Sequence, residues 1–226
     1  MKNFYIIILA VAVIGAGVVF YAIRGGSPAL EPVDLGELGN AEMLELAQPA
    51  HVFGDPDAPI TIMEFADYQC AGCMRFAGLV KPQVDAAYIS TGRARLVFHD
   101  FPLINLHAHA FLAARAARCA GDQDRYADYH DLVFDTQNGW SVMESATGHF
   151  KELATQLELD ADAFNDCLDS DRHADVVTAN MRLGQAAGVN STPTLFIHLG
   201  GGQAYQLGGA GFLDIQRAIE SAGSGN

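Results

Sequence analysis

The sequence predicts an α/β domain whose sheet-forming segments are interrupted by one all-helical block, preceded by a single apolar N-terminal segment of transmembrane length. Three observations carry this reading. An apolar run, a helical stretch and a second apolar run follow one another between residues 60 and 99. Apolar residues then recur at spacings of three and four from about 103 to 188 with no strand pattern between them. β-Branched and aromatic residues return directly after Pro193. A chain of 226 residues, half of them apolar, buries one sizeable core plus attachments.

Residues 4 to 23, FYIIILAVAVIGAGVVFYAI, are 20 consecutive uncharged positions. As a helix at about 1.5 Å per residue they cover roughly 30 Å, the depth of a bilayer core. Lys2 precedes the run, Arg24 follows it, and the next basic residue is Arg75. The bias of positive charge toward the cytoplasm therefore puts the N-terminus inside and the rest of the chain outside, in a periplasm or at the cell exterior. A cleaved signal peptide is the competing reading, although its apolar region is usually about 7 to 15 residues and ends in a small-x-small site. Residues 1–24 are thus read as a signal-anchor, the Gly-, Pro- and acid-rich residues 25–47 as a flexible linker, and residues 48–226 as the folded domain.

Within that domain ITIMEFA, residues 60 to 66, reads as a buried strand bounded by Pro59 and Asp67. The segment from Cys70 to Ile89 carries helical spacing, with Pro82 marking a kink or a break. RLVFH, from Arg95 to His99, is the second strand. The long helical block follows, punctuated by Gly121, Gly139 and Gly188. TLFIHL, residues 194 to 199, resumes the sheet, residues 204–207 are its hairpin partner across the glycines at 200–202, and residues 211–222 form a closing helix.

With 27 acidic against 13 basic residues and a formal charge of −14, the chain is a poor ligand for nucleic acid or an anionic membrane surface. His99, His107, His109, His130 and His149 are scattered over different elements and read as surface or packing residues, and Trp140 as core.

The chemistry concentrates in DYQCAGCMRF, residues 67 to 76. Cys70 and Cys73 admit three uses. A zinc site normally needs four ligands, yet there is no second C-x-x-C, and His107 and His109 are two positions apart, which on a helix points them to different faces. A structural staple closing so small a loop constrains little. A redox pair uses the position itself: where a strand turns into a helix, unpaired N–H groups and the positive end of the helix dipole favour the thiolate of Cys70, the attacking species in disulfide exchange. Cys73, one turn later, is placed to resolve a mixed disulfide.

EFADYQCAGC, RLVFHDFPL, AARAARCAGDQDRYADYHDLVF and GVNSTPTLFI occur in an order that resembles the DsbA-like thiol:disulfide oxidoreductases, over roughly residues 50 to 222. The resemblance implies a thioredoxin fold carrying the helical block as an insertion. It implies Cys70 as exposed nucleophile, Cys73 as buried resolving thiol, and Pro193 of Ser191-Thr192-Pro193 as the family's cis-proline facing the pair. The backbone of Thr192 would then pair with an extended substrate strand. Glu64 stands where the family carries a buried acid, able to shuttle the proton of Cys73 if its pKa is raised by burial; a surface acid on an edge strand is the alternative.

Cys119 and Cys167, 48 positions apart, read as a second disulfide within the insertion, as some branches of the family have; the alternative is two inert thiols. The dipeptide Ala71-Gly72 departs from the family's usual residues and offers no side-chain donor, so a milder oxidant is expected. The implied partners are unfolded exported polypeptides with reduced cysteines and a quinone-linked membrane protein of DsbB or vitamin K epoxide reductase type that reoxidises the pair. No cofactor and no metal ligand are expected. A reductase or isomerase of the same fold, or a module in which Cys70 and Cys73 hold copper or zinc, remain the competing functions.

Overall fold

The computed structural model describes residues 32–33, 45–200 and 202–223. The expected anchor, residues 1–24, lies outside them, as does most of the linker. Among the described residues no helix is long and apolar enough to cross a membrane.

Among the described residues six strands form one sheet: β1 (Pro32–Val33), β2 (His51–Phe53), β3 (Ile60–Ala66), β4 (Ala94–Asp100), β5 (Thr194–His198) and β6 (Ala204–Gln206), in the order β1-β6-β5-β3-β4-β2. Only β3 and β4 run parallel. A parallel pair requires a crossover, and the helical stretch from Ala71 to Ile89 supplies it. β3 and β4 are buried along nearly their whole length, which is why they read as apolar runs rather than alternating ones. The strand, helix, strand order and the β5–β6 hairpin match the sequence reading. β1 and β2 are additional: each is only two or three residues long and joins the sheet at an outer edge. β1 falls inside the stretch expected to be linker, and Ala47 at the end of that stretch is buried.

Pro82 does not break its helix. The stretch runs as α1 (Ala71–Arg75), a π turn (Phe76–Val80), α2 (Lys81–Val84) and a second π turn (Asp85–Ile89). Pro82 sits in the first turn of α2, where its missing N–H is least costly, and the amide of Lys81 reaches back five residues to Phe76.

Between β4 and β5 lie α3 (Ala110–Gly121), α4 (Tyr126–Asp135), α5 (Gln137–Trp140), α6 (Thr147–Gln156), α7 (Ala161–Asp169) and α8 (Ala174–Ala186); α9 (Phe212–Gly223) closes the domain. The insertion shares one core with the sheet: Tyr129, Trp140, Phe150, Phe164 and Leu168 are buried in a cluster that also takes in Ala66, Tyr68, Cys73 and Phe98, and a small-residue face of alanines on α3 lets its neighbours approach. Cys119 of α3 and Cys167 of α7 are joined as a disulfide with a Cα–Cα distance of 5.8 Å. A second cluster, Phe65, Phe101, Ala187, Val189 and Phe196, lies where the chain leaves β4 and returns to β5. There α8 approaches so closely that a Cβ on Gly184 would stand 2.5 Å from the Phe101 ring. The residues expected to open the insertion helically, 103–109, instead form turns that bring polar backbone to the end of β3.

Candidate active site

Four residues separate the end of β3 from the start of α1, and they place the cysteine pair at the sheet's rim. Cys70 is the N-cap of α1 with an extended backbone (φ −76°, ψ 123°), and no side-chain oxygen caps the first turn. The N–H groups that such a cap would satisfy are left to face the Cys70 sulfur. Cys70 is partly exposed and Cys73 fully buried, both as free thiols.

The two thiols differ sharply in acidity. Cys70 is lowered from about 9 to about 5, most strongly by the hydrogen bond from the Cys73 thiol. Partial burial opposes this, and the N–H groups of Cys73 and Gly72 reinforce it. Cys73 moves the other way. Burial pushes it up, the hydrogen bond to Cys70 and the charges of Glu64 and Cys70 add to the rise, and the Asp67 N–H, 3.4 Å from its sulfur, counteracts only in part.

Glu64 lies in the middle of β3, flanked by Phe98 on β4 and Leu195 on β5, so it is not on an edge strand. Its side chain is buried and Oε1 has no hydrogen-bond partner among the described residues. Burial raises its pKa to about 8, against a smaller downward pull from Lys81. Such a carboxyl group exchanges its proton near neutral pH.

The Thr192–Pro193 peptide bond is cis. The Cys70 thiol donates to the Thr192 carbonyl oxygen at 3.3 Å. Thr192 Oγ1 is buried without a hydrogen-bond partner among the described residues. Gly72 faces the same loop: a Cβ there would lie 3.1 Å from Pro193 Cδ and 3.4 Å from the Thr192 oxygen. Cys70, Cys73, Thr192 and Pro193 thus converge, with Glu64 electrically coupled to Cys73 from the sheet; the Cys119–Cys167 bridge stands apart in the insertion.

Several residues that hold this site were not singled out in the sequence. Asp67 accepts from the Gln69 N–H at Oδ1, and from the Leu103 N–H and His107 Nδ1 at Oδ2, each at 2.7 Å. Gln137 donates Nε2 to the carbonyls of Tyr68 (2.6 Å) and Cys70 (3.0 Å). Asp67 three residues before Cys70 carries a weak signal, since Asp favours turns; Gln137 carries none. His99 and His130 are indeed buried packing residues, held by Asn180 and Tyr68, but His107 and His109 tie loops beside the cysteine pair. Those loops expose Leu106 (76 %), Val142 (84 %) and Met143 (40 %), an apolar rim near Gln69.

A sequence model described as thioredoxin matches residues 47–203. The chain belongs to the thioredoxin family. Within that family this thioredoxin-like domain is similar to disulfide bond formation protein D of Bacillus subtilis, at 28% identity over 156 residues, 65% of this chain and 67% of that protein. It is also similar to the Na(+)/H(+) antiporter NhaA 3 of Salinispora tropica, at 28% identity over 198 residues and 84% of this chain, but it spans only 29% of that protein's length. The crystal structure of Wolbachia pipientis α-DsbA1 matches with a TM-score of 0.67 at 27% identity, covering 75% of this chain and 88% of that one. The thioredoxin-family domain described here is therefore DsbA-like, with its helical block inserted between β4 and β5.

Proposed function

We propose that this chain is a thiol:disulfide oxidoreductase that oxidises cysteines of exported, unfolded polypeptides from a membrane tether at residues 4–23. The observation that carries the reading is the placement of the pair: a partly exposed Cys70 at the N-cap of α1, 3.3 Å from the Thr192 carbonyl oxygen, beside a fully buried Cys73; the lowered pKa of Cys70 and the raised one of Cys73 agree with it.

In the oxidising direction a substrate thiolate attacks Cys70 Sγ of the Cys70–Cys73 disulfide. The bond between the two cysteines breaks, its electron pair goes to Cys73, and Glu64 supplies the proton that the buried sulfur requires. A second substrate thiolate then attacks the substrate sulfur of the mixed disulfide and releases Cys70 as a thiolate. Cys73 attacking instead returns the substrate unoxidised, which frees stalled complexes. The substrate backbone is read beside Thr192 and Pro193, and the rim of Leu106, Val142 and Met143 accepts apolar side chains of many sequences.

A thiolate stabilised in the reduced state makes the disulfide a stronger oxidant. A Cys70 near 5 falls between the strong oxidant DsbA at roughly 3.5 and thioredoxin at roughly 7. That supports an oxidase of intermediate strength, consistent with a dipeptide that lacks a side-chain donor. Turnover then needs an electron acceptor, a quinone-linked membrane protein of DsbB or vitamin K epoxide reductase type. Tethering raises the effective concentration of the two partners. The antiporter relative, in which a similar region is part of a membrane transporter, suits a domain that works at a membrane surface.

Trapping the thiols of the full chain in its native cell tests the direction. Cys70 and Cys73 mostly oxidised supports the oxidase; a mostly reduced pair assigns the chain to reductase or isomerase work. Metal copurifying at one equivalent and lost in a Cys73→Ser variant favours the binding module instead.

A further inference from the structure

The disulfide of the insertion has neighbours that a plain staple does not need. The sulfurs of Cys119 and Cys167 and a ring nitrogen of His173 all lie within 4.8 Å of one another, a grouping that stands out among the described residues. His173 is held in place: its Nε2 is 3.0 Å from Asp122 Oδ2. The same carboxylate oxygen accepts from Arg172 Nη1 at 3.0 Å and lies 3.5 Å from Cys167 Sγ. A cavity of about 280 Å³ opens alongside, lined in part by Asp122, His173, Arg118 and His51. Asp122 and His173 are partly exposed, whereas both sulfurs are buried.

We propose that reduction of the Cys119–Cys167 bridge converts this corner into a zinc(II) site, with the two sulfurs and a His173 nitrogen as ligands and Asp122 as the fourth donor. The reductant is a dithiol. It delivers two electrons and two protons, becoming a disulfide itself, while the Cys119–Cys167 bond breaks to two thiols. Zinc then displaces both thiol protons to solvent. Tetrahedral zinc with Zn–S near 2.3 Å and Zn–N near 2.0 Å sets its ligand atoms roughly 3.3 to 3.8 Å apart. The His173 nitrogen already lies within 4.8 Å of both sulfurs, which are bonded to each other in the disulfide, and a Cα–Cα separation of 5.8 Å leaves the freed sulfurs room to part by side-chain rotation. Two thiolates and a carboxylate exceed the charge of Zn²⁺ by one negative unit, and Arg172 beside Asp122 neutralises it. Thiolate ligands select zinc over the hard cations calcium and magnesium.

The site exists only in the reduced protein, so zinc clamps α3 to α7 when the covalent clamp is open. Zinc and oxidant then compete for the same sulfurs: each tenfold excess of zinc over its Kd raises the midpoint potential of this bridge by about 30 mV.

The test uses the full chain carrying Cys70→Ala and Cys73→Ala, so that the other pair does not compete. It is reduced with a phosphine, freed of reductant without oxygen, and titrated with Zn²⁺ and separately with Co²⁺, with helix content followed by circular dichroism. The expected result is one zinc per chain, and a tetrahedral cobalt spectrum with thiolate charge-transfer bands. Adding His173→Ala weakens binding about tenfold or more, and unreduced protein takes up no zinc at this site. Zinc uptake no greater than in a Cys119→Ala/Cys167→Ala control overturns the proposal. So does binding that ignores both His173→Ala and Asp122→Ala, which is also what an unfolded insertion with bare thiols would give.

Discussion

The thiol of Cys70 and the carbonyl oxygen of Thr192, 122 positions apart in sequence, meet at 3.3 Å. This contact joins the two halves of the site, because Cys70 belongs to the β3–α1 turn and Thr192 to the segment that enters β5. A substrate reaching the sulfur must therefore pass beside the Thr192 backbone.

The alkylation rate of reduced Cys70 should rise with pH through an inflection near 5, while Cys73 stays unreactive up to high pH. Iodoacetamide kinetics followed by mass spectrometry measure both. Because the folded pKa of Cys70 is depressed, its contribution to the stability of the reduced protein is complete above about pH 9 and is lost as pH falls toward 5. An inflection above 8 would mean that the first turn of α1 does not hold the thiolate.

Glu64→Gln should stabilise the domain in alkaline buffer and slow the chemistry. The folded pKa of about 8 exceeds the unfolded value of about 4.5, so the wild-type carboxyl costs progressively more as pH rises from 4.5 to 8. Removing it should add on the order of 3 to 5 kcal/mol at pH 8.5 and little at pH 4, read from denaturant midpoints. Stopped-flow oxidation of a reduced peptide at pH 7 should slow about tenfold or more. Equal stability of variant and wild type at both pH values would refute a buried, unpaired Glu64.

Gly72→His should make the pair more oxidising. A histidine there adds a donor and, when protonated, a positive charge beside the Cys70 thiolate, favouring the reduced state. Its Cβ has to be accommodated 3.1 Å from Pro193 Cδ, so the loop must shift by a few tenths of an ångström. Equilibration with a glutathione buffer reads the potential. An unchanged or more reducing value would show that the dipeptide does not set it.

Replacing both cysteines of the second bridge, Cys119→Ala with Cys167→Ala, should cost about 4 kcal/mol on the chain-entropy model for a separation of 48 residues. The loss should fall on the insertion, visible as faster hydrogen exchange in α3 and α7, while Cys70 keeps its alkylation profile. A loss below about 1 kcal/mol would mean that the reduced chain is already restrained there.

Much of the fold was legible because its signals are local. The apolar runs of β3, β4 and β5 and the helical spacing between them reflect which faces are buried, and burial is written into periodicity. β1 and β2 escaped because two or three residues at a sheet edge carry no period. The turns at 103–109 escaped because their polar groups are satisfied from afar, by Asp67 and Gln69.

By itself the sequence determined where the C-x-x-C pair lies, its place at a strand-to-helix turn, and the order of the elements around it, since all of these follow from neighbours within a few positions. Only the tertiary structure decided the electrostatics. Glu64 titrates near 8 because β4 and β5 strip it of water, and the Cys70 thiol meets the carbonyl oxygen of a residue 122 positions away. His107 and Gln137 became part of the site because the insertion folds back onto the turn that carries the cysteines. Desolvation and hydrogen bonding depend on what comes to lie alongside a group in space, and a local pattern does not contain that.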